Sequence, residues 1–220
     1  MKKLALAATI FCGSVFMFTG CHVGVHGSGL RKTEKRDVPA FTAINTSGML
    51  EIDVKCQQAV SLEVEADDNL LSLVQTEVVD GVLRIKTTRN YRSQGGIIVR
   101  VTVPNLERLE ASGAGKFRIS DLKNDEFGIH SSGVVDVSAS GQTKSLQIDG
   151  GGAGKIDTHN LRAAVVSVHV SGAANVDVYA SDQLDVTVSG AANVTYSGDP
   201  KINKHVSGAG SITRKESRGV

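Results

Sequence analysis

The chain has 220 residues, with 24 Lys and Arg against 23 Asp and Glu, a formal net charge of +1 at pH 7. A near-neutral balance without basic clusters leaves no electrostatic case for nucleic acid as a partner. Six Phe, three Tyr and no Trp leave Val, Ile, Leu and Ala to build the core, and argue against a carbohydrate site made by ring stacking.

Residues 1–20 read as a secretory signal, because Lys2 and Lys3 precede an apolar run from Leu4 to Phe18 that closes on Thr19 and Gly20. The run is shorter than the roughly 20 residues a spanning helix needs. Phe18-Thr19-Gly20-Cys21 resembles the bacterial lipobox, with Phe18 where leucine is usual. That resemblance makes Cys21 the lipidated first residue of the processed chain and the membrane a partner through its anchor. His22 follows Cys21 in place of the aspartate linked to inner-membrane retention, so the expected location is the cell envelope, at the outer membrane.

With Cys12 in the signal and Cys21 lipidated, Cys56 stands alone and no intramolecular disulfide can form. It ends the alternating run Glu51 to Lys55, as a packing residue or as a reactive thiol. Without Lys2 and Lys3 the charge becomes −1. Residues 21–35, rich in Gly and charge, are expected to be a flexible tether.

From Arg36 onward the pattern is β. Phe41–Ile44, Met49–Val54, Ser61–Val64, Val82–Lys86 and Ile97–Val103 are predicted strands, with Asp80-Gly81 as a hairpin turn. Ala66-Asp67-Asp68-Asn69 lacks the spaced carboxylates of a calcium loop and reads as a turn.

Six copies of one phrase then follow: SGAGKFRI from Ser112, SGVVDV from Ser132, GGAGKIDT from Gly151, SGAANVDV from Ser171, SGAANVTY from Ser189 and SGAGSITR from Ser207. Their glycines, Gly113, Gly133, Gly152, Gly172, Gly190 and Gly208, are spaced 20, 19, 20, 18 and 18 residues. A period near nineteen marks stacked units that bury their apolar faces only against one another. Apolar residues recur four places after the glycine (Phe117, Ile156, Val176, Val194 and Ile212, with Val135 if the second copy has lost two residues). Others recur six and four places before it, as in Leu146 and Ile148 or Val166 and Val168. Two short strands and two turns per unit predict an all-β fold, a right-handed parallel β-helix or β-solenoid with about 18–20 residues per coil. Ser47-Gly48-Met49-Leu50-Glu51-Ile52 is a weaker copy, so residues 36–213 form one domain and 214–220 a basic tail. Asn175 and Asn193 share one phase, as stacked amides or as separate turn residues.

Three stretches, GSGLRKTEKRDVPAFTAINTSGMLEIDV from Gly27, SLEVEADDNLLSLVQTEVVDGVLRI from Ser61 and VPNLERLEASGAG from Val103, are together similar to the DUF2807 family, the auto-transporter adhesin head GIN domain. The resemblance covers almost all of the processed chain. It implies an envelope protein, often a lipoprotein, with a right-handed β-helical domain, and it brings no catalytic residues.

Stacking turns phase into columns. Asp136, Asp157 and Asp177 are expected as an acidic ladder, open to two readings: a solvated stripe, or carboxylates bridged by a divalent cation. His130, Asp149 and His169, each three places before a glycine, are expected on successive rungs as ligands for zinc or another divalent metal, or as ordinary hydrogen-bonding groups on a wet face. No other cofactor is implied. GxSxG, GxxxxGK[ST] and HExxH motifs are absent. The expected role is a non-enzymatic, lipid-anchored surface that binds an envelope, glycan or protein ligand or mediates adhesion. The alternatives are a β-helical glycan lyase or hydrolase and a purely structural envelope component.

Overall fold

A computed structural model describes residues 24–215; residues 1–23, which include the expected signal segment and Cys21, and residues 216–220 lie outside it. The described chain is all-β apart from one 3₁₀ turn, Asp68–Leu73. Its N-terminal strands are β1 (Val25–His26), β2 (Arg31–Lys35), β3 (Ala43–Ser47), β4 (Met49–Cys56), β5 (Ser61–Asp67), β6 (Val74–Val79), β7 (Val82–Thr87), β8 (Tyr91–Arg92) and β9 (Ile98–Val103). The repeats follow as β10 (Arg108–Gly150), β11 (Ala153–Val170), β12 (Ala173–Val188), β13 (Asn193–Ser197), β14 (Lys201–Val206) and β15 (Ser211–Arg214).

The repeat region pairs in parallel, one unit against the next. Ile156 lies opposite Val137 on one side and Val176 on the other, and Val166 lies between Leu146 and Leu184. Phe117, Val137, Ile156, Val176 and Val194 are all at most 3% exposed, and Ile52 joins their column opposite Phe117. Backbone hydrogen bonds carry the stacking around the corners, for example Ser171 N–H to Gly150 O at 2.9 Å and Ser189 N–H to Val170 O at 2.8 Å.

Glycine sets the corner. Gly113 and Gly133 have φ of +98° and +107°, where a side chain is strained. At Gly172 the reason is space, because a Cβ would overlap the carbonyl oxygen of Gly152 one winding away. The same overlap links Gly48, Gly113, Gly133, Gly152, Gly172, Gly190 and Gly208 into one continuous column, which makes Ser47–Ile52 a true member of the stack.

The sheet is mixed, which corrects the expectation of parallel pairing throughout residues 36–213. β7 and β9 pair in parallel with β3 and β4 on the side away from β10, so the winding made by residues 82–103 stacks outside the one made by residues 43–56. The outermost strands run antiparallel: β6 on β7, β5 on β9 and β2 on β5. The β6–β7 hairpin turns at Asp80 and Gly81, with φ of +52° and +74°, as a tight two-residue connection requires. Antiparallel return strands need only short links, whereas each further parallel strand needs a crossover.

Residues 21–35 are not wholly a tether. β1 pairs with β8, and all five residues of β2 pair with β5. The sequence reading failed because β2, Arg-Lys-Thr-Glu-Lys, is polar on both faces and is held by its ladder and by ion pairs. The Arg31 guanidinium lies 2.9 Å from Glu65, and Lys35 Nζ 3.4 Å from Glu63. The basic tail is likewise attached at its start, with Arg214 in β15.

Hydrogen bonds from Arg100 and then Arg31 hold the Glu65 carboxyl below its ordinary range. A depressed carboxylate contributes stability above its unfolded pKa and loses it as pH falls through the folded value. The stability difference between wild type and Glu65→Gln, under about 1 kcal/mol for this exposed pair, should therefore shrink below pH ~4. Urea midpoints at neutral and acid pH test this.

Cys56 is 1% exposed. Burial, with the Asp121 carboxylate adding, pushes its thiol up to about 11. It is a packing residue, neutral and unreactive near pH 7.

At the other end the stack runs out. Among the described residues, β14 pairs only with β12 and β15 only with β13. Lys204 takes the place of Val186 in the core column, and Val206 is 40% exposed.

Candidate functional site

Three places before the corner glycines from Gly48 to Gly172, one side chain per winding faces an open groove of about 540 Å³. The row begins at Asn45 opposite Glu110 and continues through His130, Asp149 and His169. Ser112, Ser132, Ser171 and Ser189 line it one place before the glycine. Small residues are required there because the corner lies against the glycine column.

Contacts within the row are short and directional. Asn45 Nδ2 donates to Glu110 Oε2 at 2.6 Å, and Arg108 Nε lies 2.9 Å from Glu110 Oε1. Asp149 Oδ2 receives Gln147 Nε2 at 2.8 Å and sits 3.0 Å from His130 Nδ1. His169 lies opposite Asp149 in the strand register. The structure thus joins His130 to Asp149 but does not draw His169 into a common cluster. Among the described residues, no three His, Cys, Asp or Glu side chains converge on a point that could hold a metal ion. The rung spacing of about 4.8 Å keeps successive side chains side by side. Both carboxylates already accept hydrogen bonds from neighbours, an arrangement suited to recognition by hydrogen bonding along the row.

The acidic ladder does not form as expected. Val137, not Val135, lies opposite Ile156, so the second copy has lost no residues. Asp136 therefore lies opposite Lys155, whose N–H it accepts at 3.0 Å, and Ser138 takes the place beside Asp157. Asp157 and Asp177 do face each other. Asp157 is paired with Lys155 Nζ at 2.8 Å, and Asp177 with Lys215 Nζ at 3.2 Å. Lys–carboxylate pairing replaces the mutual repulsion expected from sequence.

His159 Nδ1 lies 3.2 Å from Ser197 Oγ and 3.8 Å from Asp177 Oδ1. Both contacts meet at one ring nitrogen, so this is not a nucleophile–base–carboxylate relay, which uses both. Asn193 Nδ2 donates to Asn175 Oδ1 at 3.3 Å, and the amides do stack.

Asn45, Glu110 and the serine row are missing from the sequence reading of the site. Their signal was present, since counting three places back from Gly48 and Gly113 reaches Asn45 and Glu110.

The model of the family described as "Putative auto-transporter adhesin, head GIN domain" matches residues 40–200. The chain belongs to this DUF2807 family. Solved structures of similar fold agree. One is a "putative adhesin" from Bacteroides fragilis NCTC 9343, with 23% identity, TM-score 0.67, 87% of this chain and 100% of that one covered. Another is a "putative adhesin" from Parabacteroides merdae ATCC 43184, with 21% identity, TM-score 0.55, and 88% and 99% covered. A third, a "putative lipid binding protein" from Parabacteroides distasonis ATCC 8503, has 20% identity and a TM-score of 0.50, with 88% and 100% covered. No curated protein matches the chain significantly. An adhesin-type DUF2807 domain points to the cell envelope or surface. Among the described residues no helix is long and apolar enough to cross a membrane.

Proposed function

We propose that this DUF2807 protein is a lipoprotein of the outer membrane, anchored through Cys21 after removal of residues 1–20. Its windings then form a right-handed β-solenoid that presents a rigid polar groove for binding or adhesion. Parallel pairing with an 18–20-residue period supports the solenoid, and right-handed crossovers are the rule for parallel strands. The observation that carries the binding role is the row Asn45, Glu110, His130, Asp149 and His169. It places one polar side chain per winding along an open groove. Fixed spacing favours an extended ligand lying along the stack, because immobilised donors and acceptors lose little entropy on binding. Engagement of Glu110 and Asp149 by neighbours supports binding over catalysis.

Two measurements test this. Cys21→Ala should move the protein from the membrane to the soluble envelope fraction, and mass spectrometry of the wild-type N-terminus should find acylated Cys21. An unmodified Cys21 in membrane-bound protein refutes the anchor. On an array of envelope glycans, Glu110→Ala/Asp149→Ala should weaken the best wild-type ligand about ten-fold or more, the scale of one or two lost charge-assisted hydrogen bonds. Equal binding by wild type and variant removes the groove as the site.

A further inference from the structure

We propose that the corner built by β1 and β8 seats directly on the membrane holding Cys21, with Arg89 and Arg92 against lipid phosphates and Leu30 in the headgroup layer. The inference deepens the lipid-anchor reading and rests on it.

Reach is the first argument. A tether over residues 21–35 would let the domain stand off by as much as about 50 Å. The chain is instead fixed from Val25 onward: Val25 N–H donates to Asn90 O at 2.9 Å and Gly27 N–H to Arg92 O at 2.8 Å. Three Cα steps separate Cys21 from Gly24, so at most about 11 Å lies between the lipidated residue and this corner. That is under about one and a half Debye lengths at physiological salt, where the Debye length is about 8 Å. The backbone of Asn90, bonded to Val25, is thereby kept near the lipid surface, and Arg89 and Arg92 flank it in the chain.

Charge is the second. His26, Ser28, Arg31, Arg92, Ser93 and Gln94 line a cleft of about 710 Å³ beside β1. Its buried carboxylate, Asp67, is matched by Arg31 Nη1 at 3.6 Å and by the Ser93 hydroxyl at 2.9 Å. Asp68, which accepts the Ser28 hydroxyl, has Lys32 nearby. Arg89 and Arg92 are exposed and make no ion pair among the described residues. What remains for a partner is cationic, and basic side chains this near a bilayer are drawn to anionic headgroups.

The third is Leu30, 68% exposed and the most exposed large hydrophobic side chain among the described residues. Its loop is held: Asp68 N–H donates to Leu30 O at 2.9 Å, Ser28 N–H to Asn69 Oδ1 at 3.0 Å, and Asn69 Nδ2 to His26 O at 2.8 Å. An apolar side chain held outward beside Arg31 and Lys32 has the composition of an interfacial contact.

The test uses the full lipidated chain in vesicles of phosphatidylethanolamine and phosphatidylglycerol. Leu30→Cys and Val206→Cys variants each carry one environment-sensitive fluorophore, since the buried, neutral Cys56 thiol does not label in the folded protein. A lipid-borne quencher should act strongly on position 30 and weakly on position 206, eight strand-pairing steps or about 38 Å along the stack. Adding Arg89→Glu and Arg92→Glu should reduce quenching at position 30 at least two-fold. Equal quenching at both positions, or none at position 30, overturns the proposal. Mass spectrometry of the same samples separates the causes: an acylated chain without quenching at position 30 refutes the seating alone, and an unacylated chain refutes the anchor and the seating together.

Discussion

Gly152→Ala is expected to destabilise the domain by about 3 kcal/mol or more, and Gly151→Ala, one residue away, by less than about 1. A Cβ on Gly152 would overlap the backbone O, N and C of Gly133, and backbone cannot rotate aside. On Gly151 the nearest atoms are Ser131 O at 3.7 Å and Ser171 Oγ at 3.9 Å, an ordinary contact. Neither change removes a hydrogen bond, so the contrast isolates close approach between windings. Urea midpoints of the two variants measure it. Equal costs would mean that the corner has room and that the glycines recur for some other reason.

Val176→Asp is the second large effect, expected at about 3 kcal/mol or more. Val176 is 1% exposed and lies between Ile156 and Val194, so an aspartate there has only apolar neighbours along its column. Asp177→Asn should cost less than about 1 kcal/mol. Its carboxylate points outward to Lys215 and keeps solvent contact, where an ion pair contributes little. Denaturant midpoints again decide. A large loss for Asp177→Asn would show that ties between windings, and not the apolar column, hold the C-terminal units together.

Much of the fold was legible because each repeat writes the same physics again. Small residues at the corner and apolar residues two apart can be counted from any one glycine, and Gly48 extends that count beyond the obvious copies. The assumed deletion after Gly133 failed because Val135 and Val137 both fit an apolar column, and composition alone cannot choose between them. The structure buries both and places Ala139 next in line. The same slip moved Asp136 into the wrong ladder. β2 was illegible for a different reason, since a strand polar on both faces carries no period-two signal. The groove was half legible: His130, Asp149 and His169 stood out as residue types, whereas serine and asparagine acquire meaning only when the windings align them.

The two ends of the stack are unlike, and this gives the molecule a direction in evolution as well as in space. Antiparallel β2, β5 and β6 finish one end, and a unit added there would meet strands of the wrong polarity. At the other, β14 and β15 offer parallel edges of the kind on which every preceding unit was laid. A tandem duplication of one 18-residue unit ahead of Lys201 would find matching neighbours on both sides, while the polar final winding, with Lys204 in the core column, stayed last. Relatives of different reach are therefore expected to differ by whole units near the C-terminus, with the N-terminal cap kept constant.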